Sequence, residues 1–242
     1  RIVEFALLAL ASLYLFRSQL GPPIDYDLWF FLRMGKHILS TAVIPHNLSF
    51  LGVDAHFPQS YLPNDEWAFG CLVFLIFRTW SYVGLAYTLA SFILAEGLLV
   101  YLCCRLVRVH YILALLLTAF SLQLMSSRFI LRPQILADCW LSALVALLLA
   151  SLKRPRLVWL APLAIVGWTT FHASVVLGLA VVCGWSLCSL VDRRGSWRVR
   201  DAAGLVGLSF LAACCRPGGP YLFVFIVEHF GANKKLDWIT EW

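Results

Sequence analysis

Charged residues are scarce in this sequence, and their scarcity excludes an ordinary water-soluble domain. Only 13% of the 242 residues are charged, whereas a soluble domain has about 25%. Apolar residues make up 61% of the chain, and the mean hydropathy is +0.82. So few charges cannot cover a globule in water, but they suit a surface that faces lipid. The long Leu, Val and Ala runs do not alternate as barrel strands do, so we expect an all-α bundle of transmembrane helices.

The chain also lacks the short motifs of several enzyme classes. Its eight cysteines show no C-x-x-C spacing, so we interpret them as small packing residues in helices. The absence of P-loop, G-x-G-x-x-G, H-E-x-x-H and G-x-S-x-G motifs leaves ATPase, dehydrogenase, zinc-protease and serine-hydrolase activities without support. The net charge of +6 is spread in short clusters between apolar runs, as in cytoplasmic loops of membrane proteins. We therefore expect no nucleic-acid partner.

Apolar runs of about 20 residues, the length that crosses a bilayer, recur along the chain. With a last short stretch they predict about seven to nine hydrophobic helices, at 2–20, 67–83, 84–103, 109–127, 133–152, 157–172, 173–191 and 202–215. The break within 157–191 is placed near His172, where hydropathy drops. We expect one transmembrane domain over 1–242: the first helix, a polar loop at 21–66 and the remaining helices in 67–230. The sequence is also expected to be the N-terminal part of a longer protein.

The polar loop 21–66 carries five acidic residues against two basic ones, a formal charge of −3. Because basic residues mark the cytoplasmic side, the clusters 153–156 and 192–200 are expected inside and the acidic loop outside. The two helices predicted within 67–103 contradict this arrangement, since an odd number of crossings must separate the loop from the basic residues 105–108. Either one segment there is re-entrant or half-length, or one loop departs from the charge rule.

Within this loop, residues 27–40 show the pattern of an amphipathic helix at the membrane interface. One face is predicted to carry Leu28, Phe31, Leu32, Gly35, Ile38 and Leu39, and the other Arg33, Lys36 and His37. Either Asp25 or Asp27 suits the N-cap of this helix, because a short carboxylate accepts hydrogen bonds from free backbone N–H groups.

The acidic residues of the loop form two candidate pairs. Asp25 and Asp27 are either caps or solvated residues, or one of them is a general base for an acceptor hydroxyl or amine. A carboxylate pair also suits a divalent cation such as Mg²⁺ or Mn²⁺, and no other cofactor is expected. Asp65 and Glu66 are either an N-cap and a first-turn acid of the next helix, or further acids of the same site.

Other polar residues stand at the borders of apolar runs. Arg128 and Arg132 are two of them. An arginine suits bidentate phosphate binding, although arginine also anchors helices at interfaces. Asp138, inside a membrane helix, needs a partner, and we expect Arg128 or Arg132. Further site candidates are Gln134, Arg216 and His172, the last in an apolar break beside Thr169, Thr170 and Ser174.

Four stretches together carry a family resemblance. They are "DYDLWFFLRMGKHILSTAVIP" from Asp25, "NDEWAFG" from Asn64, "RPQ" from Arg132 and "WTTFHASVVLG" from Trp168. The order resembles that of the multi-pass GT-C superfamily of glycosyltransferases, particularly bacterial members of unassigned function. "WTTFHAS" lacks the Asn and Gly found around the His in that pattern.

The resemblance implies a GT-C-like transmembrane fold and a function. Characterised members move a sugar from a polyprenyl-phosphate carrier to an acceptor at the outer face, using an acidic residue of the first outer loop. Carried over, Asp27 or Asp25 is catalytic, Asp65 and Glu66 are supporting or metal-binding acids, and the carrier phosphate is bound by Arg132, Arg128 and Arg216.

The expected partners are then membrane lipid, the polyprenyl-phosphate sugar and other membrane subunits. The expected location is the bacterial inner membrane. The alternative is a non-catalytic subunit that keeps this scaffold within a larger membrane complex, and the altered His motif favours it.

Overall fold

The computed structural model describes residues 2–18, 20, 25–45, 66–191, 198–224 and 227. Over these residues the chain is helical and contains no strand, which confirms the all-α prediction. The helices, in chain order, are α1 (Ile2–Ser18), α2 (Tyr26–Thr41), α3 (Trp67–Leu106), α4 (Tyr111–Met125), α5 (Pro133–Ser151), α6 (Ala161–Thr169), α7 (Val175–Val191) and α8 (Val199–Ala213). Short 3-10 helices, Ser126–Arg128 and Pro155–Leu160, lead towards α5 and α6.

Three helical segments of the described residues are long and apolar enough to cross a membrane: Trp67–Leu106, Tyr111–Arg128 and Pro133–Ser151. These three segments indicate a membrane protein. Large apolar side chains remain exposed along these segments, as expected of a surface that faces lipid; examples on α4 are Leu116, Phe120 and Leu124. The fourth apolar helix, Val175–Val191, is one residue shorter than the shortest of the three.

The sequence predicts two helices in 67–103, and the structure has one 40-residue helix that is broken at Ser81. Ser81 has φ 55° and ψ −150°, a backbone conformation that costs a residue with a side chain about 1–3 kcal/mol. The part before the break is about 21 Å long at 1.5 Å per residue, too short to cross a bilayer. The part before the break, 67–80, therefore has the length of the half-length segment considered from the sequence.

Helix α2 begins and ends within one or two residues of its predicted limits and buries most of its predicted apolar face. Leu28, Phe31, Leu32 and Ile38 are buried. The prediction for Leu39 is wrong: its side chain is 48% exposed, and Met34 is buried instead. Met34 lies where α2 crosses α3, on the same side of α2 as Phe31. The crossing buries this position, which lies outside the predicted apolar face.

Protein rather than lipid covers this apolar face. The ring centroids of Phe31 and Phe69 are 5.1 Å apart in an edge-to-face arrangement. The two backbones approach so closely that a Cβ atom added at Gly35 would overlap the carbonyl oxygen of Gly70. Glycine at both positions therefore lets α2 pack directly on the first part of α3.

Two hydrophobic clusters meet at α5. The first joins α2, α3 and the beginning of α5, with Ile93 and Ile135 among its members. The second joins the rest of α5 to α6, α7 and α8 around the fully buried Trp168. Helix α5 consequently holds the two halves of the described structure together.

Candidate functional site

Asp25 is the N-cap of α2, and its side chain is both a helix cap and the partner of an arginine. Its φ of −145° and ψ of 136° are extended, and its Oδ1 accepts a hydrogen bond from the backbone N–H of Asp27 at 3.4 Å. The sequence left Asp25 and Asp27 open as the cap, and the structure assigns the cap to Asp25. Asp27 is in the first turn, where a negative charge also stabilises the helix.

Arg132 binds both of these acids. Its Nε donates to Asp25 Oδ2 at 2.7 Å and its Nη2 donates to Asp25 Oδ1 at 2.9 Å. The same Nη2 lies 3.0 Å from Asp27 Oδ2. The Asp25 side chain is 6% exposed and that of Asp27 is 52% exposed. Asp25 is thus a buried, doubly bonded partner, while Asp27 faces outward.

The local sequence sets the position of Arg132. Pro133 is the first residue of α5, as predicted, and the residue before a proline avoids the helical region. Arg132 accordingly has φ −122° and ψ 161°. This extended residue leaves the line of α5, and its guanidinium reaches the beginning of α2.

A second arginine binds the acid inside α5. Arg128 closes the 3-10 helix before α5, and its Nη2 lies 3.3 Å from Asp138 Oδ1. This agrees with the expectation that Arg128 or Arg132 is the partner of Asp138. The Arg128 side chain is 56% exposed, so much of its guanidinium surface stays accessible.

Glu66 and His172 form another pair at the same end of the bundle. His172 Nε2 lies 3.4 Å from Glu66 Oε1. Glu66 occupies the N-cap position of α3, but its side chain makes no capping hydrogen bond. Glu66 thus stands at the end of the helix, as the sequence predicts, but its carboxyl group lies beside His172 and does not cap the backbone.

The environment changes the acidity of both members of this pair. Burial, and then the negative charge of Asp27, raise the pKa of Glu66 to about 7, against a smaller opposing effect of Arg132. Burial, and then the positive charge of Arg128, lower the pKa of His172 to about 4. At neutral pH His172 is thus uncharged, and Glu66 is divided between its two protonation states.

These residues together make a polar rim, which we define as Asp25, Asp27, Glu66, Arg128, Arg132, Asp138 and His172. They come from four separate parts of the chain: the beginning of α2, the residue before α3, the segment from α4 into α5, and the turn between α6 and α7. At the opposite end of α3, Glu4 of α1 binds Arg105 at 2.9 Å.

The remaining predicted site residues have different positions. Gln134 is in the first turn of α5, and its buried Oε1 accepts no hydrogen bond from the described residues. Arg216 follows α8 in a turn, and Thr169 donates to Ala213 O at 3.0 Å, which brings the end of α8 beside the end of α6. Asp65 lies outside the described residues.

The described acids do not suit a divalent cation. Within the described ranges, no group of three or more His, Cys, Asp or Glu side chains is close enough to hold a metal ion. Both oxygens of Asp25 and one of Asp27 are directed at Arg132. The guanidinium of Arg132 already supplies the positive charge that a cation would bring to these two acids.

A groove lies in the apolar part of the bundle beside the rim. It has a volume of about 460 Å³ and runs between α1, α3 and α4. Leucine is the most frequent residue of its lining, followed by serine, alanine and tyrosine. Two lining residues, Ser126 and Phe129, lie next to Arg128 in the chain. An apolar chain could occupy it while a polar head group lies at the rim.

Sequence reasoning missed the pairing of Glu66 with His172 and the part played by Ser174. The backbone N–H of Ser174 donates to His172 Nδ1 at 3.0 Å, and its Oγ accepts from Trp168 Nε1 at 3.2 Å. The clustering of Thr, His and Ser in a hydropathy minimum was the only available signal.

No family model, curated protein or solved structure matches this sequence.

Proposed function

We propose that this protein is a multi-pass, GT-C-like glycosyltransferase that moves a sugar from a polyprenyl-phosphate carrier to an acceptor at the outer face of the bacterial inner membrane. The observation that carries the proposal is the asymmetry between Asp25 and Asp27. Arg132 holds both, but Asp25 is buried and fully engaged, whereas Asp27 is half exposed with one oxygen directed at Arg132. Asp27 is therefore an oriented carboxylate that an acceptor can approach.

The proposed chemistry assigns a different role to each charged group. Asp27 takes the proton from the acceptor hydroxyl, the acceptor oxygen bonds to the anomeric carbon, and the carbon–oxygen bond to the carrier phosphate breaks. Arg128, the more exposed arginine, stabilises the departing phosphate. Arg132 is a positioning residue in this scheme rather than a phosphate ligand, since its Nε and Nη2 are used by Asp25 and Asp27.

The groove supports a lipid-linked donor. A carrier needs an apolar channel for its chain and a cationic group for its phosphate, and here the groove and Arg128 are adjacent. Two of the three helices that line the groove, α3 and α4, belong to segments that are long and apolar enough to cross a membrane. A soluble nucleotide sugar would have no use for such a channel.

The break at Ser81 supports the outward placement of the rim. If 67–80 stays on one side with α2, only 82–106 crosses the membrane between the acidic loop and Arg105. One crossing is an odd number, as the charge rule requires. The basic cluster 153–156 then lies inside, and the rim lies outside. At the rim, the phosphate of a polyprenyl carrier and an external acceptor can meet at Asp27.

One observation favours the alternative function, a non-catalytic membrane subunit that keeps this scaffold. Arg132 binds both acids at the beginning of α2, and such contacts also serve to hold two helices together. A membrane subunit that uses the rim only to hold α2 against α5 would have the same contacts. Copurification in fixed stoichiometry with other membrane proteins favours this second function.

The deciding experiment measures sugar transfer by the protein in liposomes, with a panel of radiolabelled polyprenyl-phosphate sugars and added acceptors. We expect Asp27→Asn to lower the rate by about 10²–10⁴-fold, the usual contribution of a general base, without changing the amount of folded protein. Asp201→Asn is the matched control, because Asp201 lies in the first turn of α8 and accepts a hydrogen bond from the backbone N–H of Arg198. Absence of transfer from every donor, or full activity of both Asp27→Asn and Asp25→Asn, contradicts the proposal.

A further inference from the structure

One side of α2 carries positive charge that no acid of the helix offsets. Trp29, Arg33 and Lys36 are exposed, and their spacing of four and three residues places them along one side of a helix. We call these three residues the cationic face of α2. Neither Arg33 nor Lys36 forms an ion pair with any of the described residues. Asp27, the one acid of α2, is bound by Arg132. The two cations therefore have no anion of their own among the described residues.

The neighbouring part of α3 adds to this positive charge. Arg78 is also exposed, and it too has no ion pair within the described ranges. No Asp or Glu occurs between residues 67 and 95. The surface formed by α2 and the first part of α3 is therefore positive, unlike the polar rim, where Arg128 and Arg132 each bind an acid.

Exposed aromatic rings lie beside the cationic face. The ring centroids of Trp29 and Tyr82 are 6.1 Å apart in an edge-to-face arrangement, and both side chains are about half exposed. Trp80, directly before the break at Ser81, is 68% exposed. Trp and Tyr concentrate where the acyl chains of a bilayer meet the head groups, because their side chains have an apolar body and a polar tip. These rings therefore place the beginning of α2 at that level of the membrane.

The cationic face, and not the apolar face, is the side of α2 that lipid can reach. Helix α3 covers the apolar face, where Phe31 packs on Phe69 and Gly35 on Gly70. A helix at a membrane interface usually buries its apolar side among acyl chains and keeps its basic side among head groups. In this protein α3 takes the place of the acyl chains, and the basic side of α2 remains for the head groups.

An anionic phospholipid matches this surface in both charge and polarity. Its phosphate accepts hydrogen bonds from the planar guanidinium of Arg33 and attracts the compact charge of Lys36. Its net negative charge complements two cations that have no acid partner, whereas a neutral phospholipid has no net charge to offer. The ring of Trp29 suits the boundary between a head group and an acyl chain. A free phosphate ion would match the cations but not the exposed ring.

We propose that the cationic face of α2 is a docking surface for the phosphate head groups of anionic phospholipids. Helix α2 then contacts the bundle through its apolar face and the membrane surface through its cationic face. The bound lipid holds the beginning of α2, and with it Asp27, at the level of the head groups. This inference does not rest on the proposed transferase function, because it uses only the exposed side of α2.

The test uses the full chain in vesicles of phosphatidylcholine that contain a small amount of phosphatidylglycerol with a photoreactive head group. After illumination, mass spectrometry locates the lipid adducts in the chain. We expect adducts on α2, with a yield about five-fold lower in Arg33→Gln or Lys36→Gln and about 10–30-fold lower in the double variant, since each basic residue near an anionic surface contributes about five-fold to binding. In 1 M NaCl, where the Debye length is about 3 Å, most of the yield should be lost.

Two further variants separate this site from general attraction between charges. Arg33→Lys keeps the charge and is expected to retain most of the adducts. Arg108→Gln combined with Lys153→Gln removes the same two residue types from exposed positions that follow α3 and α5. This control is expected to leave the adducts on α2 at the level of the parent protein. Circular dichroism shows that each variant keeps its helix content.

Three results would overturn the inference. The first is an equal yield of adducts on α2 from photoreactive phosphatidylcholine, and the second is an unchanged yield in the double variant Arg33→Gln and Lys36→Gln. The third is an acidic protein that copurifies with the parent and not with this double variant, while α2 acquires no lipid adducts; the cationic face would then be a protein interface. Sugar transfer is not among the readouts, so a failure of the proposed function leaves this test intact, and the reverse also holds.

Discussion

Arg132 and Asp25 are 107 residues apart in the chain and are joined by two hydrogen bonds of 2.7 and 2.9 Å. The arginine stands directly before α5, and the aspartate is the N-cap of α2. One guanidinium therefore fixes where α2 begins, and it is also the group that orients Asp27.

Removing this guanidinium is expected to destabilise the protein strongly. Arg132→Gln leaves the carboxylate of Asp25 without its ion partner at a position that is 6% exposed, and breaking a buried pair costs about 3–5 kcal/mol. Thermal unfolding in detergent micelles measures the loss. Arg200→Gln is the control, since its pair with Asp201 has side chains that are 76% and 33% exposed, which predicts a change of about 0–1 kcal/mol. Equal melting temperatures for the two variants would contradict this account.

The crossing of α2 and α3 predicts a clear difference between glycine substitutions. Gly35→Ala puts a methyl group into the carbonyl of Gly70, and such overpacking costs about 1–3 kcal/mol or more. Gly207→Ala in α8 meets nothing within 4 Å and should be neutral or raise stability by up to about 1 kcal/mol through helix propensity. Thermal unfolding of both variants tests the crossing, and a silent Gly35→Ala would refute it.

Glu66 and His172 give opposite contributions to the pH dependence of stability. The pKa of Glu66 is raised from 4.5 to about 7 on folding, so its contribution is lost as the pH rises through that interval. The pKa of His172 is lowered from 6.5 to about 4, so its contribution is lost as the pH falls through that interval. Between pH 4.5 and 6.5 the two slopes oppose each other.

Single substitutions should separate the two slopes. In Glu66→Gln the melting temperature is expected to rise as the pH increases from 4 to 6.5 and then to level off. In His172→Gln it is expected to fall as the pH increases from 4.5 to 7. Melting curves across this range are the measurement, and identical profiles for both variants would show that neither group titrates as described.

The donor site makes a kinetic prediction for Arg128. If this side chain binds the carrier phosphate, Arg128→Gln removes a charge-assisted hydrogen bond worth about 1.5–3 kcal/mol, which corresponds to about 10–100-fold in kcat/KM for the lipid donor. Arg105→Gln, at the opposite end of α3, is the control for loss of one arginine. A donor titration that is the same for Arg128→Gln and the parent would remove Arg128 from the mechanism.

Hydrophobic runs predicted the helices well because run length and the residues at helix ends are local properties. The beginning of α5 at Pro133 and the break near His172 follow directly from Pro and from the hydropathy minimum. The predicted boundary between 83 and 84 lies within three residues of the break in α3, but the positive φ of Ser81 itself was not predictable, since that position holds neither glycine nor proline. The burial of Met34 likewise depends on the crossing with α3.

The rim was only partly predictable for a related reason. The sequence indicates that Asp25, Asp27, Glu66 and His172 are unusual because polar groups at a membrane edge need partners. Which partner each one finds depends on how helices far apart in the chain pack, and no local pattern contains that information. The choice of Asp25 rather than Asp27 as the cap of α2 likewise depends on the backbone conformation and hydrogen bond of Asp25, which no local pattern in the sequence specifies.

The distance in sequence between Asp25 and Arg132 also sets an order for biosynthesis. At about 5–20 residues per second, the 107 residues that separate them take about 5–20 s to synthesise. During that interval the nascent α2 has an aspartate whose ion partner does not yet exist. Arg132 is synthesised directly before α5. Insertion of α5 is therefore the step at which the beginning of α2 gains its ion partner and can move from water to its final position.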